Sequence, residues 1–217
     1  MLHFDHIAIG CATLEQGATY MSEKSGLTVP VGGKHPLMGT HNLVMATGAD
    51  TFLEVIAIDS AAPAPRHNRW FGLSDARIQS NLAARAQPLA WILNSDDLDT
   101  DLEIAKSLGV DLGLPTTQTR GDMTWQFAVR EDGAIPLDGA APMMMEWSKS
   151  STHPAAKMPD LGARITAIDL DTPYAEILDK LLTKIGDGSM SIKIREAPET
   201  KLTVTLTLNN GHLVVLD

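Results

Sequence analysis

The first residue in this chain whose position asks for chemistry is a carboxylate inside an apolar strand. Glu54 sits in the run Thr51-Phe52-Leu53-Glu54-Val55-Ile56-Ala57-Ile58, which is otherwise apolar and rich in β-branched residues. Side chains alternate across a strand, so Glu54 shares a face with Phe52 and Ile56, while Leu53 and Val55 point the other way. A carboxylate among apolar neighbours needs a partner, a proton or a metal. The nearest candidate lies at the N-terminus, where Phe4-Asp5-His6-Ile7-Ala8-Ile9 reads as a strand with His6 on the face of Phe4 and Ala8. One histidine and one glutamate facing each other across a sheet are half a metal site.

Composition narrows what such a site can serve. The chain has 217 residues, 44% of them hydrophobic and 20% charged, and a net charge of −10. That length buries a real core. The acidic balance argues against nucleic acid and against an anionic membrane surface as partners. The single cysteine, Cys11, excludes an intrachain disulfide and a cysteine-based zinc cage. No basic-then-apolar leader and no apolar run near ~20 residues is visible, so a cytoplasmic location is expected. There is no nucleophile elbow, P-loop, dinucleotide fingerprint or His-Glu-x-x-His.

The elements that position these residues repeat. In residues 1–60 a strand over 2–10 is followed by a helix to about residue 24. Thr13 and Gln16 cap it and Gly26 stops it. A short strand over 28–31, a glycine-proline loop over 32–40 and strands over 41–47 and 51–58 complete the unit. Residues 61–87 read as a linker with one helix, capped by Ser74. Residues 88–150 repeat the order: a strand to 94, a helix capped by Asp97 or Asp99 and stopped by Gly109, a loop over 115–122, and strands over 123–130 and 143–148. Residues 163–217 repeat it more faintly. Thr172-Pro173 starts that helix, Gly186 ends it, and Asn209-Asn210-Gly211 makes a hairpin turn.

A tandem β-α-β-β-β unit with His in its first strand and Glu in its last resembles the vicinal oxygen chelate superfamily, and within it the glyoxalase-like domain family of bacterial proteins. The resemblance rests on Asp5-His6-Ile7-Ala8-Ile9, Lys34-His35-Pro36-Leu37-Met38-Gly39-Thr40-His41-Asn42, Leu53-Glu54-Val55-Ile56-Ala57, Arg69-Trp70-Phe71-Gly72-Leu73, Arg120-Gly121-Asp122 and His153-Pro154-Ala155. It implies an α+β fold of tandem βαβββ modules whose curved mixed sheets pair around a cleft. The third unit then caps the sheet layer or pairs with its twin in a homodimer.

The resemblance also implies a ligand set, one residue from the first strand and one from the last strand of each module. That set is His6, Glu54 and Glu146. Aligning Leu14 with Leu98 puts Ala90 where His6 stands, so one ligand is missing. A catalytic metal needs about three protein ligands and an open position, and iron, manganese, zinc or nickel would suit. Such an ion would hold vicinal oxygens of a small polar metabolite for isomerase or lyase chemistry. Glu54 or Glu146 would serve as base, and His41, Asn42, Trp70, Phe71 and Arg120 would contact the substrate. The alternative is a metal-free, ligand-sequestering protein in which Glu54 pairs with an arginine such as Arg66, Arg69, Arg120 or Arg130. His35 and His153 are expected to be solvated, Trp125 and Trp147 to be core, and Met144 to share the face of Glu146.

Overall fold

The first two modules each open on a nine-residue strand of largely apolar residues, β1 (Leu2–Gly10) and β5 (Gln87–Ser95). The computed structural model describes residues 2–121, 123–148 and 152–217. Asp122 of the Arg120-Gly121-Asp122 segment and residues 149–151 at the end of the second unit lie outside them. After β1 come α1 (Leu14–Ser25), β2 (Val31–His35), β3 (Thr40–Ala46) and β4 (Phe52–Ile58). Helix α2 (Ala76–Ala84) precedes β5, which is followed by α3 (Leu98–Ser107), β6 (Leu114–Arg120), β7 (Met123–Val129) and β8 (Met143–Trp147). The third unit is β9 (Ala163–Thr172), α4 (Ala175–Ile185), β10 (Ile192–Glu196), β11 (Lys201–Leu208) and β12 (Leu213–Leu216).

The helices start and stop where local chemistry dictates. The Thr13 side chain accepts the Gln16 N–H, and Gly26 at φ 72° closes α1 with its N–H on the Ser22 carbonyl. Asp97 caps α3; Asp75, not Ser74, caps α2.

β1 and β5 pair antiparallel at the centre of an eight-stranded sheet ordered β2-β3-β4-β1-β5-β8-β7-β6. Each module closes by pairing its first strand in parallel with its last, β1 with β4 and β5 with β8. One face of the sheet packs Ile7, Leu53, Val55, Trp91 and Leu93 against the helices. The opposite, cleft-bearing face carries Ala8, Ile56, Ala90, Ile92, Met143, Met145 and Phe127. The segment expected to be a linker fills that second face: Trp70, Phe71 and Leu73 are buried in it. Their combined apolar area leaves no reason for the segment to stay in water.

Two expected loops are strands. β2 runs through Gly32 and Gly33, and β6 takes the place of the loop expected over 115–122. Glycine reads as loop in a sequence, but in a strand it permits close approach. A Cβ at Gly32 would lie 2.3 Å from the Asn42 side-chain oxygen, and one at Gly33 would lie 2.8 Å from a guanidinium nitrogen of Arg120. The outermost strands of the two modules therefore meet across the cleft at Gly33 and Arg120.

The third unit keeps the element order of the modules but not their pairing. Its strand order is β10-β9-β11-β12, with β9 parallel to β10 and antiparallel to β11. Ile168, Leu170, Val204 and Leu206 join the core on the helical side of the large sheet. The unit thus covers the back of its own chain. Among the described residues no helix is long and apolar enough to cross a membrane.

Candidate functional site

The site begins with a break in alternation. Along β1, Phe4 pairs with Leu93 and His6 with Ile92, so Asp5 is an extra, bulged residue. A bulge sets two residues against one and re-aims a side chain. Here it lets Asp5 and His6 contact each other beside the cleft while Phe4 and Ile7 both stay in the helical-side core. The expected sharing of one face by Phe4 and His6 is corrected accordingly.

Asp5 is 1% exposed and gathers three donors. His6 Nδ1–H donates to Oδ1 at 2.6 Å, while Trp147 Nε1–H at 2.7 Å and His153 Nε2–H at 3.0 Å donate to Oδ2. The Ala155 N–H donates to His153 Nδ1, which fixes that ring's tautomer. Burial pushes the Asp5 carboxyl up, but the hydrogen bonds from His153 and His6 outweigh it and hold it at about 2. Sequence reasoning passed over Asp5. The signal was there: two adjacent polar residues inside a buried strand break the period of two. His153, expected in solvent, is part of this network, and Trp147 is its indole donor rather than inert core.

With Nδ1–H committed to Asp5, His6 presents Nε2 to Glu54. The imidazole stacks on Phe52, its neighbour on β4, with ring centroids 4.2 Å apart. Nε2 lies 3.7 Å from Glu54 Oε2, too far for a hydrogen bond and close enough for one intervening atom to touch both. The other oxygen, Glu54 Oε1, accepts from Asn42 Nδ2 at 2.6 Å, and Asn42 Oδ1 in turn accepts the Gly33 N–H at 2.7 Å. Asn42 is thereby fixed in orientation and holds one side of the carboxylate. No arginine pairs with Glu54 among the described residues.

The facing wall is aromatic and donor-rich. Trp70, Phe71 and Phe127 pack with centroids 5.2 to 5.8 Å apart. His35, expected in solvent, is buried against the Trp70 edge and bonded through Nδ1 to Thr40 Oγ1. Burial pushes its imidazole down to about 4; Glu54 opposes that shift, and Arg120, His6 and His41 add to it. Arg120 lines the same cleft. Together with His6, Asn42 and Glu54, the cleft thus brings together Trp70, Phe71 and Arg120 of the expected contacts.

Two expected site residues are elsewhere. Glu146 Oε2 accepts the Leu98 N–H at 3.1 Å, at the start of α3. It lies on the helical side of β8 with Met144, while Met145 and Trp147 line the cleft. The cause is register: one residue of shift in a strand reverses every side chain. His41 is outside the cleft lining, because it adjoins Asn42 on β3 and alternation turns it away.

Register also identifies what the second module offers instead. The pairing of His6 with Ile92 is mirrored by that of Ala8 with Ala90, and the β1 bulge at Asp5 by a β5 bulge at Leu89. Ala8 pairs with Glu54 and its counterpart Ile92 with Met143. The counterparts of Asp5, His6 and Glu54 are therefore Leu89, Ala90 and Met143. No group of three His, Cys, Asp or Glu suited to a metal occurs among the described residues. Two donors with an apolar other half do not fit a resident divalent ion, which takes about three protein ligands.

Two βαβββ modules joined by their first strands around a cleft define a protein of the vicinal oxygen chelate superfamily. Within it the chain belongs to the glyoxalase-like domain family, whose model matches residues 4–186. No curated protein matches the sequence. A crystal structure of a hypothetical protein from Staphylococcus aureus is similar over 99% of this chain and 98% of that one, at 13% identity and a TM-score of 0.66. That likeness extends over the third unit and shows the fold. Methylmalonyl-CoA epimerases from Streptomyces coelicolor and Mycobacterium tuberculosis are partial likenesses. The first has 16% identity and a TM-score of 0.41 over 70% of this chain and 99% of that one. The second has 15% identity and a TM-score of 0.43 over 69% and 89%.

Proposed function

We propose that the cleft binds a small carbonyl metabolite and moves a proton on it, as an isomerase or lyase does, with His6 and Glu54 as the proton-handling pair. The observation that carries this reading is the 3.7 Å gap between His6 Nε2 and Glu54 Oε2, with Asp5 fixing one side and Asn42 the other. The two atoms lie side by side, so an acidic C–H that enters from the cleft meets both at once. One of them takes the proton from the carbon next to the carbonyl. The C–H electrons form the C=C bond of an enolate, and the charge moves to oxygen. That same proton then returns to the substrate, from the group that took it or from the other after crossing the gap, or it stays while a leaving group on the next carbon departs with its bonding pair and the enolate electrons form the new C=C bond. The cleft's aromatic walls exclude water, which strengthens each electrostatic contact inside.

No step is routed through a metal, because the donor set does not fit one. Elemental analysis of untagged protein, with titration of iron, manganese, zinc and nickel, checks this. The expected result is no stoichiometric uptake. Stoichiometric metal lost on His6→Ala/Glu54→Ala would put the reaction on the ion instead.

The reaction is tested by proton NMR in D2O with short 2-oxo acids and hydroxyketones. Loss of the C–H signal above the buffer rate is expected, abolished in folded His6→Gln and Glu54→Gln variants. Exchange at the buffer rate with every compound, or exchange unaffected by both substitutions, would overturn the assignment. A second reading, a sequestering protein without turnover, is favoured by the Trp70, Trp125, Phe127 and Trp147 lining, which suits stacking of a planar ligand. It predicts affinity without exchange.

A further inference from the structure

We infer that the ligand of this cleft carries a carboxylate, held by Arg120 and Trp70 on the wall opposite His6 and Glu54; this rests on the cleft being the functional site. Three observations meet here. The Arg120 guanidinium lines the cleft, yet among the described residues it makes no hydrogen bond or ion pair. The Trp70 indole lines the same space, is 3% exposed, and its Nε1–H has no partner. A buried donor left unpaired costs stability, so its persistence points to an acceptor that arrives from outside. The guanidinium lies beside Gly33, where a Cβ would come within 2.8 Å of it.

The polarity of the two walls orients the ligand. Module one supplies acceptors, Glu54 Oε2 and His6 Nε2; the opposite wall supplies the donors of Arg120 and Trp70. A planar carboxylate accepts two parallel N–H groups of one guanidinium, and its remaining lone pairs suit an indole N–H. Among the described residues the lining includes one arginine and no lysine. One cation beside Glu54 balances a singly charged carboxylate better than a doubly charged phosphate. A ligand held this way lies with its acidic carbon toward His6 and Glu54 and its carboxylate toward Arg120.

The test is calorimetric and thermal-shift titration of the full chain with short 2-oxo and 2-hydroxy acids, their primary amides and methyl phosphate. At least one acid is expected to bind, its amide about ten-fold or more weaker. Arg120→Gln should weaken the acid about ten- to hundred-fold, with Arg120→Lys intermediate. Gly33→Ala, which displaces the guanidinium without removing it, should weaken the acid and leave the amide unchanged. Binding by no acid at millimolar concentration would overturn the inference. So would equal binding of acid and amide, preference for methyl phosphate, or wild-type affinity in folded Arg120→Gln. Acid binding that depends on Arg120 but shows no deuterium exchange would sustain the carboxylate site and refute the proton-transfer reading. Exchange on a neutral ketone with no acid binding would do the reverse.

Discussion

In the first module the bulge of β1 carries Asp5, the next residue is His6, and Glu54 stands on the parallel partner strand. In the second module the bulge of β5 carries Leu89, the next residue is Ala90, and Met143 stands on the partner. The backbone repeats, bulges included, and the chemistry does not. A bulge fixes where side chains point, while their identity decides whether they need partners. The polar half needs donors and takes them from both sides: Asn42 from its own module, Trp147 from β8 of the second and His153 from beyond it. The apolar half needs none; it lends the Trp147 N–H to Asp5, aromatic lining from β7 and, from the edge of its sheet, Arg120.

That contrast can be broken from the polar side. Asp5→Ala leaves His6, Trp147 and His153 without their shared acceptor. Loss of one partner from a buried ionic network costs about 3–5 kcal/mol, and denaturant unfolding should show a loss in that range. A change below about 1 kcal/mol would mean that the network is solvated in solution.

Acid should expose the cleft's second buried group. His35 has a folded pKa of about 4 against 6.5 unfolded, so the unfolded chain binds the extra proton first as pH falls. The His35 contribution is complete above pH 6.5 and is lost progressively down to pH 4, about 3 kcal/mol in all. Unfolding measured across that window should slope in wild type and flatten in His35→Gln. Asp5 adds its own loss only below pH 3.8, toward its folded value of about 2.

Copying the second module onto the first sharpens the comparison. The triple variant Asp5→Leu/His6→Ala/Glu54→Met removes both carboxylates and the imidazole between them together, so no buried charge is left unpaired. Replacing buried ionic groups by apolar ones is often neutral or stabilising, by about 1–4 kcal/mol. The expected outcome is a protein at least as stable as wild type with no deuterium exchange. A strongly destabilised variant would show that the polar residues hold the bulge itself. The smallest effect belongs to Glu146→Gln, about 1 kcal/mol from a weakened contact at the start of α3, with ligand binding unchanged. Altered ligand affinity in that variant would contradict its position on the helical face.

Much of this was legible in the chain. Alternation in residues 51–58 and the His6–Glu54 pairing needed only a strand and its neighbours, and Thr13, Asp97, Gly26 and Gly186 mark helix ends where they stand. What misled was phase. Met143, Met144 and Met145 are all apolar, so nothing in the run says which of them faces the cleft, and Glu146 was assigned to the wrong face with them. Gly32 and Gly33 read as loop because the crowding that requires glycine comes from Asn42 and Arg120, far apart in sequence.

The sequence by itself determined the repeated modules, the half-polar site at His6 and Glu54, and the gap at Ala90. The first two follow from local periodicity, capping and residue type, which act within a few positions of one another; the gap follows from the ligand positions that the family resemblance implies. Tertiary structure alone decided that Asp5 shares the site, that Glu146 leaves it, that Trp70 and Phe71 fill the cleft's wall and that Arg120 lines the same cleft as Glu54. Each of those depends on strand register and bulge placement between segments tens of residues apart. Only the packed sheet fixes them, because a shift of one residue would reverse every face.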